Sequence, residues 1–298
     1  MIDIIESSDK KWFDFISEHP EATIFHHPHW SYVLSNTYGY KSFVAVLRGR
    51  KNEILVGLPI MQINSWITGK RWVALSFSDH CKPLFQNEGY VNQFIEELIR
   101  KANENNYRCV EIRSKLPALQ IDINKNVHYL HLSKLDGDAE RLFKRFRKKG
   151  VQYCIKRANK TGIEVKKKYD MKSLITFYDL HLKTRKKLGV PTQPKKYFLN
   201  LWEYLIKDRL GFLMLSYYND IPIAGGVFLR YKNNIVYKYG ATDPAYMNLY
   251  ANHALLWEVI KYGCKNGFQY MDWGRTDKGH EGLRKNRINR VLCKRKIR

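Results

Sequence analysis

The sequence lacks three features that would point to a membrane or secreted protein. No apolar run reaches the ~18–20 residues that a membrane-spanning helix needs. The first residues, MIDIIESSDKKWFDF, lack the basic start and apolar stretch of a secretory signal. The five cysteines are scattered, and no two have the spacing of metal ligands or of a redox pair. We therefore expect reduced thiols and a cytoplasmic location.

Metal-binding and nucleotide-binding signatures are also missing. His26, His27 and His29 flank Pro28, but no acidic residue or cysteine stands beside them. This pattern favours a structural or substrate-facing role over metal binding. Nucleophile-elbow, P-loop and zinc motifs are absent from the sequence. We therefore expect no metal and no resident cofactor.

Acidic residues are scarce relative to basic ones. The chain has 28 Asp and Glu against 52 Lys and Arg, a formal net charge of +24. Such an excess bears on partners rather than on the fold, and it suits tRNA, a nucleotide diphosphate, CoA or an anionic membrane surface. Surface solvation is the alternative. Many basic residues fall in one predicted helix, 138–159, in which Gly150 is a candidate interruption. The exposed face of this helix is either solvated or contacts phosphates or lipid headgroups.

One pattern of elements is present twice in the 298 residues, about double the common domain size of ~150. Apolar, β-branched runs broken by polar turns predict hairpins at 43–61 and 212–229. Two helices precede each hairpin, and a strand, a helix and a buried strand follow it: 71–77, 91–103 and 109–113, then 234–242, 252–264 and 268–273. The last three elements predict a parallel strand pair with a right-handed crossover. We therefore predict an α/β protein with mixed sheets, duplicated as domains 1–133 and 134–298.

Several short segments in the chain carry a resemblance to a known family. They are ATIF at 22–25 with His26, Pro28 and Trp30, TRKKLGVP at 184–191, YKYGAT at 237–242, LYANH at 249–253, MDWGR at 271–275 and GLR at 282–284. In this order and spacing they resemble the Fem-like branch of the GNAT acyltransferase superfamily, the peptidoglycan-bridge aminoacyltransferases. The resemblance covers most of the chain, and no single segment carries it alone.

This resemblance implies two tandem GNAT-like domains with the acyl-CoA N-acyltransferase fold. It also implies transfer of an aminoacyl group from aminoacyl-tRNA, or of an acyl group from acyl-CoA, to an amine of a peptidoglycan or polysaccharide precursor. Such precursors of the cell envelope are linked to a lipid or a nucleotide. Two departures stand out: Leu34 occupies the position of a lysine in members that use the nucleotide-linked precursor, and Asn286 and Arg287 replace a Phe-Lys pair.

The residues before the second crossover helix bear on the acyl donor. GNAT folds hold the CoA pyrophosphate with a glycine-containing loop at this place. Here residues 243–251 read DPAYMNLYA, without glycine, which favours an ester on tRNA over CoA as the donor. A CoA-dependent N-acyltransferase acting on an amino sugar is the second possibility. A non-catalytic polyanion-binding protein is the third. The basic charge also predicts a peripheral contact with an anionic membrane surface.

Ligands of open α/β sheets bind beyond the carboxyl ends of parallel strands, where we expect the strands to splay apart. Three residues near these ends are predicted to be catalytic: Asp272 as acceptor of the amine proton, Tyr239 as proton donor and His253 as a weaker base. The predicted substrate-binding residues are Arg185, Lys187, Tyr237, Asn252, Arg275 and Trp30. An ion pair with Arg275 is the alternative role of Asp272, and strand alternation is the alternative explanation for Tyr237 and Tyr239.

Overall fold

The computed structural model describes residues 1–66, 69–117 and 128–277. These residues form two compact units, 1–117 and 128–277. Segment 282–284 and the Asn286-Arg287 pair, which bear on the family resemblance, lie outside the described residues. Within the described ranges, no helix has both the length and the hydropathy that a membrane span requires.

The first unit contains one mixed sheet. Its elements are β1 (Ile2–Ile5), α1 (Lys10–Glu18), α2 (Pro28–Tyr38), β2 (Lys41–Arg48), β3 (Ile54–Ser65), β4 (Gly69–Val73), β5 (Leu84–Phe85), α3 (Tyr90–Glu104) and β6 (Val110–Glu111). The strand order is β1-β2-β3-β4-β6, and β5 pairs with β3. Strands β1 to β4 pair antiparallel, whereas β4 and β6 are parallel and are joined through α3.

The second unit also contains one mixed sheet, ordered β7-β12-β11-β10-β9-β8. Its elements are β7 (His128–Lys134), α4 (Ala139–Arg145), α5 (Tyr153–Lys160), β8 (Glu164–Lys168), α6 (Met171–Leu188), α7 (Lys195–Leu201), β9 (Gly211–Tyr218), β10 (Ile221–Tyr231), β11 (Asn234–Thr242), α8 (Ala251–Lys265) and β12 (Tyr270–Asp277). π-helical turns at Lys148–Gln152 and Trp202–Ile206 and a 3₁₀ turn at Pro244–Leu249 complete it.

The two units repeat one order of elements. Each has an edge strand, two helices, a hairpin, a third strand, a crossover helix and a strand parallel to the third: β1 to β6 in the first unit and β8 to β12 in the second. The hairpins predicted at 43–61 and 212–229 are β2-β3 and β9-β10. The predicted α/β duplication is confirmed, and the second unit adds β7, α4 and α5 in front of the shared pattern.

The structure differs from the sequence prediction at three places. Strand β7 pairs antiparallel with β12 and so belongs to the second sheet. The predicted boundary at 133/134 instead assigns most of this strand to the first domain. The strand predicted at 71–77 ends at Val73, because Leu75 and Phe77 have positive φ angles of 44° and 60°. The helix predicted at 138–159 is divided into α4 and α5, since Gly150 has φ −144° and ψ −108°.

A buried glutamine forms hydrogen bonds across the break between α4 and α5. Gln152 Nε2 donates to the carbonyl oxygens of Phe143 at 3.0 Å and Phe146 at 2.8 Å. These carbonyls belong to the last turn of α4, where helical partners run out. Val151 and Ile155 then continue the apolar side of the segment into the same core as Phe146. The basic side chains of this segment therefore stay on the exposed side, as the sequence predicts.

Helices cover both faces of the second sheet. A Cβ added to Gly225 would meet Phe177 of α6 and Leu215 at 2.9 Å, whereas one added to Gly226 would meet Leu255 of α8 at 3.3 Å. Neighbouring strand residues point to opposite faces, so α6 and α8 lie on opposite sides of β10. The glycines allow both helices to approach the strand closely. This layering fixes which side chains of β11 and β12 share a face.

A buried histidine of the first unit, His26, makes the stability of that unit pH-dependent. His26 Nδ1 accepts from the Thr23 N–H at 3.0 Å, so its Nε2 carries the proton and donates to the Lys82 carbonyl at 2.9 Å. Burial lowers the pKa of His26 to about 3. Because this is below the unfolded value of about 6.5, the unfolded state binds the extra proton between these values and is favoured as the pH falls.

We predict that His26 contributes a loss of about 1.4 kcal/mol of unfolding free energy per pH unit below about pH 6. Urea unfolding followed by tryptophan fluorescence between pH 7 and pH 5 measures the slope. His26→Gln removes the titrating ring, so the variant should show a shallower slope by that amount while being less stable at pH 7. An unchanged slope would mean that His26 has the same pKa in the folded chain as in the unfolded chain.

Candidate functional site

Strands β11 and β12 separate well before they end. Their parallel register consists of Asn234 with Tyr270, Ile235 with Met271 and Val236 with Asp272. Strand β11 nevertheless continues to Thr242 and β12 to Asp277. A gap therefore opens between the carboxyl ends of these two strands, beside the start of α8. The splaying expected from the sequence is present here.

A bulge in β12 directs it away from β11. The pairing of β12 with β7 shifts register between Asp272 and Arg275, and Gly274 has a φ of 83°. Asp272 Oδ1 accepts from the Gly274 N–H at 2.8 Å. The carboxylate thus holds the bulge, a local kink that reorients the strand. Only glycine adopts this backbone conformation without strain.

Asp272 is buried, with 4% of its surface exposed, and its neighbours show on which face of the sheet it lies. Its neighbour Met271 belongs to the core that includes Leu255 and Ile260 of α8. Successive strand residues alternate, so Asp272 lies on the opposite face, the face that α6 covers. Within the described residues, Asp272 and Arg275 form no ion pair with each other.

The two predicted tyrosines of β11 lie on opposite faces of the sheet. Val227 pairs with Tyr239 while its neighbour Phe228 pairs with Tyr237, so Lys238 is an extra residue in a bulge. The Tyr237 ring stacks on Phe228 at 5.3 Å in the core beneath α8. Regular alternation would place both tyrosines on one face. The extra residue in the bulge turns Tyr239 to the opposite face.

Tyr237 is therefore a core residue rather than a partner of Tyr239. Its hydroxyl fills the space where Gly240 lacks a Cβ. Burial raises the pKa of Tyr237 to about 12, so the hydroxyl stays protonated at neutral pH. Its ring also packs edge-on against Trp273 at 6.2 Å. The structure places it away from the face that carries Asp272.

Tyr239 belongs to a polar cluster between β11, α6 and α7. Its hydroxyl donates to the Tyr197 hydroxyl at 3.1 Å. The ring of His181 lies 5.7 Å from the Tyr239 ring, in edge contact. Arg185 Nε is 3.5 Å from His181 Nε2, and Gln193 Oε1 is 3.2 Å from the same nitrogen. The structure thus brings the predicted residues Tyr239 and Arg185 together through His181.

His181 is the central residue of this cluster, and the sequence analysis missed it together with Tyr197 and Gln193. It is 2% exposed, and its Nδ1 has no hydrogen-bond partner within the described residues. Burial, and to a lesser degree the neighbouring Arg185, lowers the pKa of His181 below its ordinary value. A neutral imidazole is therefore present at neutral pH. The sequence could have pointed to His181, because it lies four residues before the predicted Arg185 on the same helix and therefore shares a face with it.

The C-terminal half of α6 also contacts the end of β11 and the turn after it. The Thr184 hydroxyl accepts from the Thr242 N–H at 3.0 Å. Lys183 Nζ pairs with Asp243 Oδ2 at 2.6 Å, and Lys187 Nζ lies 2.8 Å from Met247 Sδ. Lys187 therefore faces the turn, on a different side of α6 from Arg185.

The start of α8 borders the gap and carries two predicted site residues. Asn252 Oδ1 is buried and has no hydrogen-bond partner within the described residues. Asn252 and Gly263 lie on the same face of α8. A Cβ added to Gly263 would lie nearest to Leu135, which follows β7, and to Ile235 of β11. Asn252 therefore faces β7 and β11. His253 packs edge-on against Tyr250 at 5.8 Å, and burial lowers the pKa of His253.

The turn before α8 uses its own backbone donors. The N–H of Ala245 donates to Asp243 Oδ1 at 3.1 Å, and that of Tyr246 donates to the Asp243 carbonyl at 3.0 Å. Tyr250, in the left-handed region with φ 57°, donates to the Met247 carbonyl at 3.5 Å. Donors engaged in this way are not available to cradle a pyrophosphate.

Trp30 belongs to the first unit. It is fully buried in the core of the first unit, where its ring packs edge-on against Phe25 at 5.3 Å. His27, also buried, has a pKa lowered to about 3 by burial. Among the described residues, no group of three His, Cys, Asp or Glu side chains is arranged to hold a metal ion.

Comparisons with known proteins bear on both units. Residues 144–282 match the family described as acetyltransferase (GNAT) domain. No curated protein matches the chain by sequence. Among solved structures, FemX has a TM-score of 0.73 at 15% identity, with 97% of this chain and 94% of FemX covered.

Two further solved structures have lower sequence identity. A tandem GNAT protein from the clavulanic acid biosynthesis pathway has a TM-score of 0.56 at 8% identity, with 100% of this chain and 97% of that protein covered. The C-terminal domain of a putative lysylphosphatidylglycerol synthetase from Agrobacterium fabrum has a TM-score of 0.55 at 8% identity, with 93% of this chain and 81% of that domain covered. All three similarities extend across both units.

Two substitutions of Asp272 separate its structural role from a catalytic one. Asp272→Asn retains an oxygen that can accept from the Gly274 N–H, so its unfolding free energy should stay close to that of the native chain. Asp272→Ala leaves that N–H unpaired and should cost about 1–3 kcal/mol. If the charge accepts a proton, Asp272→Asn should lower turnover about 100-fold or more. Urea unfolding and the transfer assay given below measure both, and normal turnover of Asp272→Asn would leave Asp272 a structural residue only.

Proposed function

We propose that this chain, whose second unit is a GNAT acyltransferase domain and whose fold is that of the Fem-like branch, transfers an aminoacyl group from aminoacyl-tRNA to an amine of a cell-envelope precursor. The names of two proteins with this fold support the choice of reaction: FemX, and the putative lysylphosphatidylglycerol synthetase whose C-terminal domain is compared above. The basic surface of the chain suits a polyanionic donor.

The turn before α8 is the observation that carries this choice of donor. Binding of CoA at a helix start relies on free backbone N–H groups and on glycine, which lets the backbone approach the pyrophosphate. Here Asp243 engages the N–H groups of Ala245 and Tyr246 in the turn that precedes α8, and this turn contains no glycine. A diphosphate would therefore find these backbone donors already in use. A tRNA ester places no diphosphate at this position.

The gap between β11 and β12 suits the acyl-transfer step itself. The amine nitrogen attacks the ester carbonyl carbon, a C–N bond forms, and the C–O bond to the tRNA ribose breaks. Backbone N–H groups along the separated strands are positioned to stabilise the oxyanion that forms during attack. Asp272 lies at the point of separation and accepts the proton that the amine loses. The leaving ribose oxygen takes up a proton as the bond breaks.

A buried polar atom supports an amine acceptor. Asn252 Oδ1 at the start of α8 is an acceptor to which no described residue donates. Leaving such an atom buried and unpaired costs about 1–3 kcal/mol, which a substrate N–H would recover. Tyr239 and Tyr197 form a hydroxyl pair on the face of Asp272 and can relay a proton to the leaving group. Arg185, held against His181, binds a phosphate or carboxylate of the acceptor.

A donor screen tests the proposal. The full chain is incubated with charged tRNA or with acetyl-CoA, together with amine-bearing muropeptide and amino-sugar acceptors, and products are identified by mass spectrometry. We expect an aminoacylated product with charged tRNA and no acetylated product. Uncharged tRNA with free amino acid is the control for the ester. An acetylated amino sugar, together with low-micromolar binding of acetyl-CoA in calorimetry, would establish CoA as the donor instead.

A further inference from the structure

Three segments meet at the end of the second unit where β11 and β12 separate. They are the β9-β10 turn, the 3₁₀ turn after β11 and the C-terminal end of α6. The ring centroids of Tyr218 and Tyr246 are 6.4 Å apart, which joins the first two segments. The contact of Lys187 Nζ with Met247 Sδ at 2.8 Å joins the last two.

A fourth segment, α5, packs at the same end. Ala158 of α5 shares an apolar cluster with Ile223 and Ala224 at the start of β10 and with Ala251 and Ala254 at the start of α8. The Tyr153 ring of α5 lies 6.3 Å from the ring of Tyr250, the residue that precedes α8. This packing places the exposed side of α5 next to the turn that borders the gap.

Large apolar side chains project from all four segments. We call them the end surface; its members are Tyr153, Leu188, Val190, Ile221 and Met247, which are 41% to 63% exposed. A single exposed apolar residue is ordinary and needs no explanation. Five of them at one end, contributed by separate segments, form a rim that no described residue covers.

Basic side chains surround this rim. They are Lys156, Arg157 and Lys160 on α5, and Lys186 and Lys187 on the last turn of α6, all exposed. The acidic groups at this end are largely neutralised. Asp243 pairs with Lys183 and Glu164 pairs with Lys166, while Asp220 also lies near Lys166. The end surface therefore combines apolar side chains with uncompensated positive charge.

We propose that this end of the second unit docks on an anionic lipid bilayer. The apolar side chains of the end surface enter the boundary between headgroups and acyl chains, and the flanking lysines and arginine contact lipid phosphates. The gap beside β11 then opens toward a lipid-linked acceptor. This use of the surface rests on the proposed function, although the binding itself requires no catalysis.

The chemistry of the surface favours a bilayer over two other occupants. A nucleic-acid backbone is bound through its phosphates, and Leu188, Val190 and Ile221 offer it neither charge nor a stacking ring. A second copy of the chain would bury the apolar rim, but two molecules with a formal charge of +24 each repel one another. A bilayer with anionic headgroups uses both the apolar and the basic side chains.

Vesicle flotation tests the proposal with the full chain. Vesicles contain phosphatidylcholine alone or phosphatidylcholine mixed with phosphatidylglycerol. We expect the chain to float with the mixed vesicles and to stay unbound with phosphatidylcholine alone. Salt at ~1 M should weaken binding of the chain to the mixed vesicles, because the Debye length falls to about 3 Å.

Two variants divide the apolar from the electrostatic contribution. Leu188→Ser combined with Met247→Ser should lower partitioning about tenfold, since less apolar area is buried in the interface. Lys156→Ser combined with Lys160→Ser should lower it about fivefold for each lysine removed. Tyr270→Ser and Lys265→Ser are the matched controls, because both residues are exposed at the opposite end of the same unit. Neither control should change partitioning.

Three results would overturn the proposal. The first is a wild-type chain that does not float with phosphatidylglycerol vesicles. The second is an equal loss of binding in the matched controls. The third is normal flotation of the Lys156 and Lys160 variant with loss of its tRNA binding in fluorescence anisotropy, which would assign the surface to RNA. Because transfer to a water-soluble acceptor does not need vesicles, failure of docking and failure of the proposed transfer activity are observed in separate assays.

Discussion

The hydrogen bond from the Gly274 N–H to Asp272 Oδ1 is the interaction on which the site depends. It stabilises the bulge that turns β12 toward β7 and ends its pairing with β11 after Val236. Without this separation the parallel strands would continue side by side, and their backbone N–H and C=O groups would hydrogen-bond to each other. The gap, the access to the start of α8 and the location of Asp272 all follow from that one turn of the chain.

The sequence predicts the elements with strong apolar periodicity and misses those with little. Strand β11 begins at Asn234 and ends at Thr242, as the sequence predicts, because polar residues bound an apolar run. Strand β8, Glu164–Lys168, escaped prediction because it reads EVKKK and Val165 is its one apolar residue. It is held by backbone pairing with β9 as an edge strand, where lysines discourage further strand addition.

The candidate site is harder to predict because two bulges change which residues share a face. Regular strand alternation would place Tyr237 and Tyr239 on the same face, since residues two apart in a strand normally point the same way. The extra residue Lys238 reverses the second of them, and nothing in the local sequence marks it as a bulge. Helix spacing is more reliable: Arg185 was predicted, and the position four residues earlier leads directly to His181. Tertiary packing against Tyr239, which connects distant segments, is not readable from spacing.

The fit of the Tyr237 hydroxyl against Gly240 has an evolutionary consequence. Any side chain at position 240 would occupy the volume of that hydroxyl, while a phenylalanine at 237 would leave a small void and remove a buried polar group. The two positions therefore constitute one unit of selection: a larger residue at 240 becomes tolerable only after 237 has become smaller. Among homologous chains we expect these positions to covary, with tyrosine at the first restricted to sequences that keep glycine at the second. Such a correlated pair would mark a historical path in which the change at 237 preceded the change at 240.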